Sequence, residues 1–229
     1  MLKRLALWIP LIIICVGARA QYADSMRVAH KTNFTYKQLI VPSVLIATGL
    51  ALVSNNPKSI KMELVDDRNR YMSSYKTTVD DYMQFSPIVI AYGLDALGVK
   101  SKTDIVNRTV ILAKSELLMV GVTQLLKYTT HEVRPDGSNN HSFPSGHTAE
   151  AFAAATFLSE EYKDKLPWMP YVAYTISSGV GFSRMANNKH YICDVLVGAG
   201  IGILCTKVSY WTHQYRWGRK RQPKPVASF

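Results

Sequence analysis

Six apolar blocks, separated by polar connections, dominate the pattern of this chain. They cover residues 39–53, 87–99, 110–126, 151–158, 169–182 and 195–210. Small and helix-favouring residues are frequent in these blocks, a composition more typical of helices than of strands. The pattern therefore predicts an all-α fold, a helical bundle of about six helices.

The length of the blocks leaves two interpretations open, because a membrane-spanning helix needs roughly 20 apolar residues and most of the blocks are shorter. Asp95 lies in the second block, and Lys114 and Glu116 lie in the third. Each block is as compatible with a buried core helix as with a membrane span. We expect a bundle that is either embedded in a membrane or associated with one.

The polar connections predict an orientation for a membrane-embedded bundle. Connection 54–86 has balanced charges, whereas connection 100–108 and the tail 213–229 are basic. Cytoplasmic segments are enriched in Lys and Arg, so connection 54–86 is expected on the periplasmic side. A cleaved signal followed by six spans gives the wrong parity for this orientation, and a soluble or peripheral bundle avoids the conflict.

The first twenty residues have the pattern of a targeting segment. Lys3 and Arg4 precede an apolar run, and Ala18 and Ala20 form a small-x-small cleavage pattern. We interpret residues 1–20 as a signal peptide or an uncleaved N-terminal anchor. The formal net charge is +11, but no nucleic-acid recognition motif accompanies it, so no nucleic-acid partner is predicted.

Three polar clusters lie at the edges of the last four apolar blocks and carry the candidate chemistry. The first pairs a lysine with an Arg-Pro, the second is a Pro-Ser-Gly-His run, and the third combines Ser-Arg, histidine and aspartate. Their members are Lys127, Arg134 and Pro135; Pro144, Ser145, Gly146 and His147; and Ser183, Arg184, His190 and Asp194.

The cations and the glycine-containing turn of these clusters suit a phosphate group. Lys127, Arg134 and Arg184 could neutralise a phosphate dianion, with arginine donating paired hydrogen bonds and lysine acting as a point charge. Ser145 and Gly146 precede a predicted helix, whose N-terminal N–H groups favour an anion. No additional carboxylate is available to hold magnesium, so we predict a metal-independent site without a cofactor.

The two histidines and the aspartate suit nucleophilic catalysis. His190 and Asp194 are four residues apart and face the same way if both lie on a helix. Asp194 could accept the Nδ1–H of His190 and leave its Nε2 free as a nucleophile, while His147 serves as general acid and then base. Each residue alone has an ordinary structural explanation; the combination indicates catalysis. His131 and His141 match nothing and are interpreted as solvated loop histidines.

These clusters resemble the signature of the type-2 phosphatidic acid phosphatase and vanadium haloperoxidase superfamily, K-x6-R-P, P-S-G-H and S-R-x5-H-x3-D. The resemblance implies a helical bundle with the active site at one end. It implies His190 as nucleophile, Asp194 as its orienting partner and His147 as general acid. The phosphate-binding residues that it implies are Lys127, Arg134, Ser145, Gly146 and Arg184.

The resemblance predicts a phosphatase that acts through a phosphohistidine on a phosphorylated lipid of the bacterial envelope, such as phosphatidate, isoprenyl diphosphate or a lipid A phosphate. The expected location is the inner membrane with the site facing the periplasm, or the periplasm itself. The main alternative is a soluble periplasmic acid phosphatase of broad specificity. A haloperoxidase, usually a larger protein, and a non-enzymatic relative are weaker alternatives.

The resemblance and the apolar pattern together divide the chain into four predicted segments. These are the signal or anchor 1–20, a helical or loop segment 21–86, the phosphatase bundle 87–212 and the basic tail 213–229. The signature motifs all lie between Lys127 and Asp194. Nothing before residue 87 is covered by the resemblance.

Overall fold

The computed structural model describes residues 34–214, so the predicted segment 1–20 and residues 215–229 of the predicted tail lie outside the described residues. Eight helices and no strand are found within 34–214. They are α1 (Lys37–Ala51), α2 (Ile60–Tyr71), α3 (Val79–Met83), α4 (Ser86–Ala96), α5 (Ile105–Thr130), α6 (Gly146–Tyr162), α7 (Met169–Ala186) and α8 (Ile192–Trp211). The all-α prediction is confirmed, and each of the six apolar blocks forms a helix.

The predicted count of about six helices is too low because the polar connection 54–86 contains α2 and α3. Ser59 caps α2 by accepting a hydrogen bond from the N–H of Met62 at 3.4 Å. The α2 sequence is rich in charged residues and lacks an apolar stripe, which hid the helix from a reading based on hydrophobic pattern. Lys61 instead fixes α2 to the bundle through Glu132, with 2.6 Å between Nζ and Oε1.

Helices α6 and α8 form the centre of the bundle. α8 packs against α6, α1 and α5, and α6 also packs against α7 and α4. Alanine and glycine are frequent on both central helices and allow them to approach closely; Ala149 and Ala153 of α6 are fully buried. The four-helix arrangement α5–α8 brings the C-terminal ends of α5 and α7 beside the N-terminal ends of α6 and α8.

The closest approach of α8 to α6 is at Gly202. A Cβ atom built on Gly202 would lie 2.1 Å from the carbonyl oxygen of Ala149, whereas one built on Gly121 of α5 would meet nothing within 4 Å. Both glycines lie inside helices, so they form a matched pair of sites.

Gly202→Ala is expected to destabilise the protein by ~1–3 kcal/mol or more, because the added methyl group must push two packed helices apart. Gly121→Ala should be neutral or stabilising by up to ~1 kcal/mol, since alanine is the better helix former. Thermal unfolding of both variants in detergent measures the difference. Equal melting temperatures would contradict the tight α6–α8 contact.

Two helices are long and apolar enough to span a membrane, α5 and α8. α8 is mostly buried within the bundle, whereas α5 leaves most of its apolar surface exposed. Leu117 of α5 is 76% exposed and Leu125 is 66% exposed. An apolar face of this size on one side of a helix is typical of contact with lipid or with another protein.

Candidate active site

The residues predicted from the three clusters lie at one end of the bundle. Lys127 is in the last turn of α5 and Arg184 in the last turn of α7. Ser145 is the N-cap of α6, and Asp194 is in the first turn of α8. The antiparallel order of α5–α8 therefore brings together residues that are up to 67 positions apart in the sequence (Lys127 to Asp194).

The structure corrects the expectation that His190 and Asp194 share a helix. α8 begins at Ile192, after Tyr191, whose backbone is extended at ψ 163°. His190 thus precedes the helix, and Asp194 reaches back to it. One carboxylate oxygen, Oδ2, accepts a hydrogen bond from the N–H of Tyr191 at 3.0 Å and lies 3.4 Å from His190 Nδ1. The pair meets because Asp194 caps the helix start.

A serine missed in the sequence completes the support of Asp194. Ser142 is fully buried, and its hydroxyl donates to Asp194 Oδ2 at 2.5 Å while lying 3.5 Å from His190 Nδ1. Nothing in its type or spacing marked Ser142, which stands two residues before Pro144 in a loop. The loop is itself tied to α8, because the N–H of Ser145 donates to the carbonyl of Asp194 at 3.0 Å.

His190 is held as a neutral imidazole. Its side chain is 1% exposed, and burial lowers the pKa of His190 to about 4, although Asp194 acts in the opposite direction. The charges of Lys127 and Arg184 lower the pKa of His190 further. An imidazole that is unprotonated near neutral pH has a free lone pair, as a nucleophile requires.

Three cations lie close to one another near this histidine, and two of them have a buried hydrogen-bond donor without an acceptor in residues 34–214. Lys127 Nζ donates to the carbonyl of His141 at 2.7 Å. The Nε–H groups of Arg134 and Arg184 are buried and have no acceptor among residues 34–214. Burial and the charge of Arg184 lower the pKa of Arg134. Buried like charges with unmet donors favour an anion that would satisfy both.

The second cluster, at the start of α6, lies next to Lys127. Ser145 caps α6 through the N–H of Thr148 at 3.4 Å. A Cβ built on Gly146 would lie 3.9 Å from Lys127 Cε, so the first turn of α6 faces the ammonium group. N–H groups at such a helix start are suited to bind an anion.

His147 contacts a carboxylate from a part of the chain that the motifs do not cover. Its Nε2 lies 2.8 Å from Asp81 Oδ1, and the neighbouring Asp80 binds Arg184, with 2.6 Å from Oδ2 to Nη1. Both aspartates belong to α3. The sequence showed them only as two negative charges in a balanced connection, so their place in the site was missed.

The two histidines interpreted as solvated lie at the margin of the site. His131 is exposed and ends α5 in the left-handed conformation at φ 50°. His141 is half-buried and stacks edge-on against Tyr128, with ring centroids 5.3 Å apart. The interpretation as a solvated loop histidine therefore fits His131 better than His141, because His141 is half-buried and its carbonyl accepts a hydrogen bond from Lys127.

The PAP2 superfamily model matches residues 108–218, which include most of α5, all of α6 to α8 and all eight predicted site residues. Residues 108–218 belong to the PAP2 superfamily. The resemblance found in the motifs is thereby confirmed. The match leaves out Asp80 and Asp81, so these two carboxylates come from a segment upstream of the matched region.

Relatives of this chain are known in bacteria and yeast. The Lipid A 1-phosphatase of Porphyromonas gingivalis is 37% identical over 153 residues, which cover 64% of this chain and 34% of the relative. The probable diacylglycerol pyrophosphate phosphatase 1 of Schizosaccharomyces pombe is 35% identical over 80 residues, which cover 30% of this chain and 29% of the relative. The chain spans about a third of the length of these relatives.

The fold of this chain also resembles that of a solved structure. The crystal structure of Aquifex aeolicus LpxE superposes with a TM-score of 0.51 at 24% identity, covering 69% of this chain and 98% of that chain. At this level of identity the likeness concerns the fold, and it agrees with the all-helical bundle described above.

Proposed function

We propose that this chain is a phosphatase that removes phosphate from a phosphorylated lipid of the bacterial envelope through a phosphohistidine at His190. The observation that carries the proposal is the buried His190, which lies 3.4 Å from Asp194 and close to the charges of Lys127 and Arg184. The PAP2 superfamily match over residues 108–218 and the names of the relatives support phosphate chemistry.

The proposed reaction has two steps. His190 Nε2 attacks the phosphorus atom, the bond from phosphorus to the leaving oxygen breaks, and His147 gives that oxygen a proton. A water molecule then attacks the phosphohistidine, His147 accepts a proton from the water, and the phosphorus–nitrogen bond breaks. Phosphate leaves, and both histidines return to their starting protonation states.

The cations lower the barrier of both steps by binding the oxygens that carry negative charge in the transition state. The free Nε–H groups of Arg134 and Arg184 and the ammonium of Lys127 are proposed to bind these oxygens. The N–H groups at the start of α6, beside Ser145 and Gly146, add neutral donors. Binding that strengthens as charge builds up accelerates the chemical step.

A lipid substrate is favoured by the exposed face of α5. Leu117 and Leu125 present apolar surface on the same helix that carries Lys127 in its last turn. A lipid in contact with this face would bring its phosphate towards the site at the end of the helix. We propose an inner-membrane location with the site facing the periplasm, which agrees with the basic connection 100–108 at the other end of α5.

Metal independence is part of the same proposal. Residues 34–214 contain no group of three or more His, Cys, Asp or Glu side chains suited to hold a metal ion. In the proposed mechanism, the three cations neutralise the phosphate charge in the role that magnesium has in other phosphatases.

Phosphate release from a panel of substrates tests the function. We expect the detergent-solubilised protein to hydrolyse at least one of phosphatidate, isoprenyl diphosphate and lipid A at least ~10-fold faster than an aryl phosphate, with full activity in EDTA. Preference for the aryl phosphate, and extraction by salt instead of detergent, would favour the soluble acid phosphatase. Activity that requires a divalent ion would contradict the metal-independent mechanism.

A further inference from the structure

The aspartates of α3 contact two of the residues proposed for catalysis, although they lie outside the region matched by the family. We propose that Asp81 is a positioning residue that orients His147 and holds it as the protonated general acid, with Asp80 fixing α3 in place. The inference rests on the proposed function of His147 and extends the site to a segment upstream of the PAP2 domain.

The segment that carries Asp81 is built onto the end of α7. The side chain of Asn187 accepts from the N–H of Thr77 and donates to the Thr77 carbonyl, both at 2.9 Å. It also donates to Asp80 Oδ1 at 3.2 Å. From α2, Arg68 Nε donates to the carbonyl of Ala186 at 2.8 Å. These contacts place α3 in a defined position against the site.

Asp80 fixes the position of α3 relative to the end of α7. It is fully buried, and its Oδ2 lies 2.6 Å from Nη1 of Arg184, which is itself 8% exposed. A buried ion pair of this kind is costly to break, because each partner would be left as an uncompensated charge. With Asp80 on Arg184, the next residue of α3 reaches His147, at 2.8 Å from Asp81 Oδ1 to His147 Nε2.

The charges that act on the protonation of His147 come from α7 and α3. Arg184 of α7 and the burial of the ring lower the pKa of His147, burial being the larger effect. Asp81 and Asp80 of α3 act in the opposite direction. From α5, Lys127 Cε comes within 3.9 Å of a Cβ built on Gly146, the neighbour of His147. Among these cations, the carboxylate of Asp81 beside Nε2 favours the imidazolium form of His147, which a general acid requires.

A competing explanation treats Asp81 as an internal anion that occupies the phosphate site until substrate displaces it. Asp81 also lies 3.7 Å from Arg184 Nη1, so a bound phosphate would experience its charge. The two explanations predict different kinetics. If Asp81 competes with phosphate, it raises KM at every pH. If it keeps His147 protonated, it determines the alkaline limb of the pH profile of kcat/KM.

The test is the pH dependence of kcat/KM for Asp81→Asn, Asp81→Glu and the control Asp67→Asn, an exposed aspartate on α2. Asp81 is 48% exposed and His147 is 31% exposed, so the shift is limited by solvent screening. We expect the alkaline limb of Asp81→Asn to move about 0.5–1 unit lower, with a three- to tenfold loss at pH 8 and little change on the acid side. Asp81→Glu should recover most of the loss, and Asp67→Asn should match the wild type.

NMR titration of isotope-labelled histidines gives a readout that does not depend on turnover. The His147 signal, assigned by its loss in His147→Gln, is expected to titrate at lower pH in Asp81→Asn than in the wild type. The inference is overturned if His147 titrates at the same pH in Asp81→Asn as in the wild type. It is also overturned if Asp81→Asn lowers KM and leaves the alkaline limb of the pH profile unchanged. If the wild type releases no phosphate from any substrate, the proposed function fails, and the titration still decides whether Asp81 controls the protonation of His147.

Discussion

His190→Ala is expected to lower phosphate release by about 10⁴–10⁶-fold and to leave the helical bundle folded. The variant removes the only nitrogen nucleophile that the proposed mechanism provides, and the cations that remain can bind phosphate but cannot accept it covalently. The fold should survive because His190 precedes α8, and the start of this helix is held by Asp194 and the N–H of Tyr191. Binding of a substrate analogue should therefore persist.

The measurement is single-turnover phosphate release, combined with trapping of an acid-labile phosphoenzyme in the wild type. A matched control is His131→Asn, which removes an exposed imidazole from the left-handed C-cap of α5 and inserts a residue that tolerates this conformation. The control should keep wild-type turnover. Activity of His190→Ala above a few per cent of the wild type would mean that another residue forms the covalent bond.

The fold could be predicted from the sequence wherever burial determines the helix. The blocks that became α1 and α4 to α8 are apolar because they pack on one another or present an apolar surface, so their composition reveals them. α2 and α3 have another origin, since they are held by polar contacts such as Lys61 to Glu132 and Asp80 to Arg184. Contacts between residues distant in sequence leave no periodic signal, so these helices were missed.

The site could be predicted to the extent that its residues fall into motifs. All eight predicted residues lie at the same end of the bundle, because the motifs occupy the ends of four antiparallel helices. Ser142, Asp80 and Asp81 were missed because a serine or an aspartate in a polar connection has no feature that distinguishes it from a solvated residue. Their importance depends on which buried group they contact, and that information is only in the tertiary structure.

The relation of His190 to Asp194 shows the same limit at a finer scale. The offset of four residues predicted that the two side chains meet, and they do, at 3.4 Å. The expected reason, a shared helix, was wrong. His190 lies before the helix, and Asp194 contacts it as a helix-capping residue. The position of a helix start depends on a few backbone angles that the residue spacing does not define.

Asp194→Asn is expected to reduce kcat/KM on the order of 10³–10⁴-fold, by analogy with the orienting aspartate of a catalytic triad. Oδ2 of Asp194 accepts from Ser142 and from the N–H of Tyr191 and faces His190 Nδ1. An amide keeps an acceptor for the helix start but loses the negative charge beside the imidazole. The tautomer with the proton on Nδ1 is then no longer enforced, and the Nε2 lone pair needed for attack is lost.

The pH profile distinguishes this loss from simple unfolding. Because Asp194 raises the pKa of His190 against the effect of burial, its neutralisation should move the acid limb, near pH 4 in the wild type, to lower pH. Thermal unfolding should show that Asp194→Asn retains a cooperative transition.

Ser142→Ala is the matched control for Asp194→Asn, because it removes one donor to the carboxylate and keeps its charge. We expect a loss of only about tenfold, the typical effect of one hydrogen bond of ~1.4 kcal/mol. We therefore expect kcat/KM of Asp194→Asn to be at least ~100-fold lower than that of Ser142→Ala. If the two variants lose equal activity with both proteins folded, the charge of Asp194 is not what prepares His190, and the buried hydroxyl of Ser142 would have to act on the imidazole directly.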